Sequence, residues 1–306
     1  MPHLDPVANM QLLVSGLAIG SIYALVALGF VLIYNAVGVV NFAQGEFVMF
    51  PAYVAATFLL PAVTVFGTVV HWQLPVLAVY LLVLVLMVAF GLVFNRIAYH
   101  PLRDRGWLPV VISTIGVSIF LRNAAQLTWG SQPLVIPSLF PVDTVAVGPL
   151  HIRPQDLVII GVTALLIAFQ YVLFERTTLG KQMRATAQDR TTARLIGIRV
   201  GRIVAITFVY SALLGTISGL LVAPLFTVTK EMGGLIALKA FAASIVGGFG
   251  SIPGAIVGGL AIGVVETFGG FYFSAAYVDA IAFVILIAVL LVKPSGIFGE
   301  RVAEKA

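Results

Sequence analysis

The chain has 306 residues, 60% of them hydrophobic and only 9% charged, and its mean hydropathy is +1.10. Soluble domains carry about 25% charged residues, so an ordinary water-soluble fold is excluded and an integral membrane protein is indicated. The net charge of +5 sits in a few loops between apolar runs, as topology signals do and nucleic-acid faces do not.

Cysteine is absent, which removes disulfides, thiolate metal sites and cysteine nucleophiles. The opening MPHLDPVANM lacks a positively charged n-region and a cleavage site, so the first hydrophobic segment is read as retained. From Pro6 to Gly45 there is no Asp, Glu, Lys or Arg. Those forty residues exceed the ~20 needed for one crossing, so the run must break. Residues 10–34 make the first span and residues 46–61 the next segment. Between them GVVNFAQGE, Gly38 to Glu46, supplies two glycines and the polar Asn41, Gln44 and Glu46.

A loop carrying His71 and Trp72 leads to a span from Leu74 to about Phe94, after which Arg96, His100, Arg103 and Arg105 mark a cytoplasmic side. Trp107 to about Trp129 returns, with Arg122 late enough to snorkel to the outer interface. Residues 130–155 hold Pro133, Pro137, Pro141, Pro149 and Pro154 among short β-branched pieces, and read as an external loop with a small hairpin. Gln155 to Phe174 then spans inward.

The segment Glu175 to Arg202 carries seven of the seventeen Lys and Arg residues, interleaved with Met183, Leu195, Ile196 and Ile198. Asp189 is placed to N-cap a short helix over 190–196, which Gly197 would close in the left-handed conformation. Two readings stand: a solvated loop that only sets orientation, or a docking element for a cytoplasmic partner.

Ile203 to about Val228 goes outward, Lys230 and Glu231 mark an outer turn, and Leu235 to Gly247 comes back. A glycine-dense turn precedes an outward segment from Ala255 to Phe271. Tyr277 to Val292 is the last crossing, and Lys293, Arg301 and Lys305 place the tail inside. The expected fold is an all-α polytopic membrane protein of about eight to nine transmembrane segments with broken or re-entrant helices. It forms a single domain over 1–306, with the N-terminus outside and the C-terminus in the cytoplasm. GEFVMFPAYVAATF and GSIPGAIVGGLAIGVVETF each start an outward helix after a polar, glycine-containing break, which suggests two related halves.

His3, His71, His100 and His151 have no metal-ligand spacing to one another. Gly180-Lys181 mimics the end of a phosphate-binding loop, but Glu175 stands where its first glycine is required, so the chain is not expected to hydrolyse ATP. Gly16/Gly20, Gly215/Gly219, Gly254/Gly258 and Gly259/Gly263 have the four-residue spacing of close helix packing. Asn41, Gln44, Glu46, Glu266 and Asp279 are polar groups that should face protein, water or an interface rather than lipid. Asn41 and Gln44 fit either a broken backbone that needs hydrogen bonds or a translocation path. The acidic residues within the spans are too few for a convincing ion relay.

Gly16 to Tyr53, GLAIGSIYALVALGFVLIYNAVGVVNFAQGEFVMFPAY, resembles the opening signature of LivH-type membrane subunits of branched-chain amino-acid ABC importers. RATAQDRTTARLIGI, Arg184 to Ile198, is similar to their cytoplasmic coupling segment, and KAFAASIVGGFGSIPGAIVGGLAIGVVE, Lys239 to Glu266, to their C-terminal glycine-rich motif. Gln44 departs from the histidine of many members.

The resemblance implies a permease subunit, not an enzyme, of the bacterial inner membrane. Its partners would be a second, LivM-type permease, two ABC ATPases that bind ATP-Mg, and a soluble binding protein; no cofactor is implied for this chain. Arg184, Asp189, Arg190, Arg194 and Gly197 are the implied coupling residues, and Asn41, Gln44 and Glu46 lie near the implied path. Leucine, isoleucine or valine is the implied cargo. Urea, short amides and aromatic acids are carried by relatives, and an ion-gradient-driven secondary transporter is the alternative from another class.

Overall fold

In a computed structural model of the chain, the described residues are 6–138 and 144–299. His3, Pro141, Arg301 and Lys305, named above, lie outside them. Apolar helices dominate. Among the described residues six are long and apolar enough to cross a membrane, namely α1 (Pro6–Val37), α3 (Val76–Phe94, extended by a π turn over Asn95–Tyr99), α4 (Trp107–Trp129), α5 (Pro154–Arg176), α8 (Val200–Val222) and α10 (Ile252–Tyr272). Three are shorter: α2 (Glu46–Leu59), α9 (Met232–Gly247) and α11 (Val278–Val292). At 1.5 Å per residue α2 reaches only about 21 Å, less than the ~30 Å of a hydrocarbon core.

The helical segments therefore fall where the hydropathy and the charge gaps put them. Two elements were not expected. The first is the helix α6 (Thr178–Gln188), which precedes the short α7 (Arg190–Leu195) within the basic segment. The second is a hairpin of β1 (Val63–Val65) and β2 (Thr68–Val70), whose turn uses Phe66 and Gly67 at positive φ. The hairpin expected in the proline-rich loop is β3 (Val145–Val147) paired with β4 (Leu150–Ile152), Val145 opposite Ile152.

The chain divides into two compact units. One is built from the described residues of Met1–Val31, Phe140–Ala164 and Ala237–Ala306, and the other from Leu32–Leu139 and Leu165–Ile236. In the first unit, α1 and α10 meet backbone to backbone through Gly16, Gly20, Gly259 and Gly263. A methyl group added to Gly20 would lie 2.8 Å from the Leu260 Cα, so only glycine permits this approach. Lys239 on α9 bonds Glu266 on α10 at 2.5 Å and Asp279 on α11 at 2.7 Å, with its ammonium 5.8 Å from the Tyr23 ring centroid.

In the second unit α2 runs beside α8, with Gly215 and Gly219 set against Phe47 and Val48. Aromatic rings fill the space between α2, α3, α4 and α8. Phe47 meets Phe94 at 5.1 Å, Phe94 meets Phe208 at 5.8 Å, and Tyr53 stacks on Trp129 at 4.9 Å. The Trp129 indole also donates to the Thr57 hydroxyl at 2.7 Å, which satisfies its only polar atom.

Candidate functional site

The basic segment folds as two capped helices. Thr177 caps α6 by accepting from the Gly180 amide at 3.1 Å, and Asp189 caps α7 by accepting from the amides of Thr191 at 2.7 Å and Thr192 at 3.2 Å. The Thr192 hydroxyl also donates to Asp189, at 2.6 Å. That hydroxyl, followed by the two amides, holds the exposed Asp189 carboxyl below the usual carboxylate range. Gly197, at φ 88°, stands just beyond α7 and its amide bonds the Arg194 carbonyl at 3.0 Å. The expected cap and stop are thus both in place, and α7 ends one residue short of the expected 196.

An apolar pair stands exposed at the C-terminal end of α7, beyond the exposed polar Thr191 and Thr192. Leu195 is 82% exposed and Ile196 69%, next to Arg194. Arg184 pairs with Glu175, tying α6 back to the end of α5. Arg190 reaches inward instead: its guanidinium lies beside Gly38, where an added methyl would come within 3.3 Å of it. A cavity of about 410 Å³ between α6 and the start of α8 is lined by Thr178, Gln182, Gly197, Arg199 and Arg202 among others.

The polar break between α1 and α2 belongs to the same unit and is buried: Asn41 is 1% exposed, Gln44 0% and Glu46 1%. The Asn41 carbonyl oxygen accepts from the Ala43 amide at 3.1 Å, as a broken backbone requires. Gln44 does not serve the backbone; its side-chain oxygen accepts from Ser211 on α8 at 2.9 Å. Glu46 accepts from Ser118 at 2.7 Å and from the Arg122 Nε at 3.1 Å, both on α4. Asn41 Nδ2, Gln44 Nε2 and Glu46 Oε2 have no hydrogen-bond partner.

One assignment changes. Arg122, expected to snorkel away, turns to Glu46, because a buried carboxylate without a cation costs more than a guanidinium half in contact with water. Glu46, expected to face protein, water or an interface rather than lipid, faces protein. Lys239 escaped sequence reading because it stands inside an apolar glycine-rich motif, eight positions after the nearest upstream charge, Glu231. Its spacing of 27 residues from Glu266 carries no periodic signal.

The model of the family described as "Branched-chain amino acid transport system / permease component" matches residues 12–290. The chain belongs to this family. The permease is 38% identical over 303 residues, 97% of either chain, to the high-affinity branched-chain amino acid transport system permease protein BraD of Pseudomonas aeruginosa. It is 38% identical over 302 residues, again 97% of each chain, to LivH of Escherichia coli, and 28% identical over 313 residues to a probable LivH of Methanocaldococcus jannaschii, covering 97% of this chain and 94% of that one. No solved structure matches it. As a permease component it is a multi-pass membrane protein and a transport subunit of an ABC importer, not an enzyme.

Proposed function

We propose that the permease carries branched-chain amino acids, delivered by a soluble binding protein, across the bacterial inner membrane. It is driven by ATP-Mg hydrolysis in two ABC ATPases and pairs with a second, LivM-type permease in one transmembrane domain pair. The residues 175–202 lie in the cytoplasm, with the N-terminus and the proline-rich loop 130–155 outside and the C-terminus inside. The shorter α2, α9 and α11 then bring the count to nine segments, with the break at Asn41, Gln44 and Glu46 re-entrant and beside the path.

The observation that carries this reading is the tip of α7. An apolar pair, Leu195 and Ile196, stands exposed beside Arg194 on a capped helix, as a docking knob would and a solvated orientation loop would not. Arg184 braces the knob, Asp189 starts its helix, and Gly197 sets its turn. From there Arg190 leads to Gly38, so a push on α7 reaches the α1–α2 break without a long relay. Selectivity among leucine, isoleucine and valine, or for urea, short amides or aromatic acids, then lies in the binding protein.

The test is ATP hydrolysis by the reconstituted importer. Gly197→Pro forces a negative φ and removes the amide that bonds Arg194; Arg194→Glu inverts the charge of the knob. Both are expected to leave the permease inserted and to abolish binding-protein-stimulated hydrolysis. Stimulation equal to that of the parent would remove the docking role, and uptake by this chain alone on an ion gradient would favour a secondary transporter.

A further inference from the structure

Most of the exposed surface of α4 is apolar, with Ile112, Ile115, Ile119, Phe120 and Leu127 all outward. Its last third interrupts that surface with Arg122, Asn123 and Gln126, and two charges from the α8–α9 connection join them. Lys230 donates to the Gln126 side-chain oxygen at 2.6 Å and lies 3.9 Å from Glu231, which is 3.7 Å from the Arg122 Nη1. Ionised groups at hydrocarbon depth cost at least ~2.5 kcal/mol each, so this patch borders water or protein rather than lipid. A cavity of about 490 Å³, lined by Asn123, Gln126, Leu127 and Ser131, opens beside it.

Arg122 is fixed from behind and open in front. Its Nε bonds the buried Glu46 at 3.1 Å and its Nη2 bonds the buried Ser118 at 2.9 Å, which locks the guanidinium plane. Its Nη1 faces Glu231 beyond hydrogen-bonding distance, and Glu231 is 57% exposed. The four charges Glu46, Arg122, Lys230 and Glu231 sum to zero, so the patch favours neither a free anion nor a free cation.

We propose that Arg122 and Glu231 form a subsite on the path for the headgroup of an α-amino acid, Arg122 taking the carboxylate and Glu231 the ammonium. This rests on the amino-acid cargo proposed above. The loose Arg122–Glu231 pair is exchanged for two charge-assisted contacts with a zwitterion, whose opposite charges sit on one carbon. The side chain of the cargo touches neither group, so a single subsite serves several side chains.

The experiment measures solute moved per ATP hydrolysed by the complete importer in liposomes, with radiolabelled leucine, isoleucine and valine in parallel, comparing the parent with Glu231→Gln and Glu231→Asp. Glu231 is exposed, so neither change threatens folding. The expected result is a fall of about tenfold in the ratio for Glu231→Gln, the worth of one charge-assisted contact, and retention for Glu231→Asp. A Glu231→Gln ratio equal to the parent's overturns the subsite. So does loss of the second permease on purification of that variant, which would assign the charges to a subunit contact. A parent complex whose ATPase is stimulated but which moves none of the three amino acids refutes the cargo reading instead.

Discussion

Lys239→Met should be among the most damaging single changes in the permease. The Lys239 and Glu266 side chains are 9% and 6% exposed, and the lysine also reaches Asp279. Asp279, at 67%, keeps its water when the lysine is lost. Glu266 cannot, because it is buried and its Oε2 already lacks a partner. The cost is therefore set by one stranded carboxylate, about 3–5 kcal/mol. Replacing both members, as in Lys239→Met with Glu266→Leu, removes the stranded charge and should cost no more than about 1 kcal/mol, leaving a coupling of about 3 kcal/mol between the two sites. The assay is the denaturant midpoint of the purified permease in detergent, for the parent, each single variant and the double. A single Lys239→Met no more costly than the double would refute the claim that the pair is buried and mutually dependent.

Gly219→Leu drives a side chain into the Val48 carbonyl on α2 and should destabilise by about 1–3 kcal/mol or more, whereas Gly116→Leu, with nothing within 4 Å of its new Cβ, should be neutral in the same denaturant assay. The Asp189 carboxyl titrates lower in the folded state than in the unfolded one. Its cap is therefore fully present above the ordinary carboxylate range and is lost only as pH falls through the lowered value. A spin label at Leu195→Cys should keep one constant mobility, that of an exposed site on an ordered helix, from neutral pH down through that range and loosen below it, and Asp189→Asn, which keeps a capping oxygen, should abolish the pH dependence. A cysteine at the exposed Gln188 should react with an impermeant reagent only from the cytoplasmic face; labelling from outside would invert the proposed topology.

Legibility in the sequence followed the strength of each local signal. An apolar run between Gly106 and Gly130, carrying the single charge of Arg122, places α4 at Trp107 to about Trp129, because hydropathy over ~20 residues leaves little freedom. The Asp189 cap and the Gly197 turn were readable because capping depends on neighbours only two or three residues away. The helix α6 was missed because its polar composition resembles a loop; only its burial of Met183 and Thr186 reveals an inward face. The pairs Glu46–Arg122 and Lys239–Glu266 were invisible, since they join residues 76 and 27 apart through the packing of glycine-lined helices. Sequence flagged three of those four charges without showing which partner each would find.

The most direct measurement places a photo-crosslinking side chain at Leu195 in the importer purified with all its subunits. The expected result is a crosslink from α7 to an ATPase subunit, formed in the complete complex and weakened by Arg194→Glu. A crosslink to lipid or to the external binding protein, with the ATPase never captured, would contradict it.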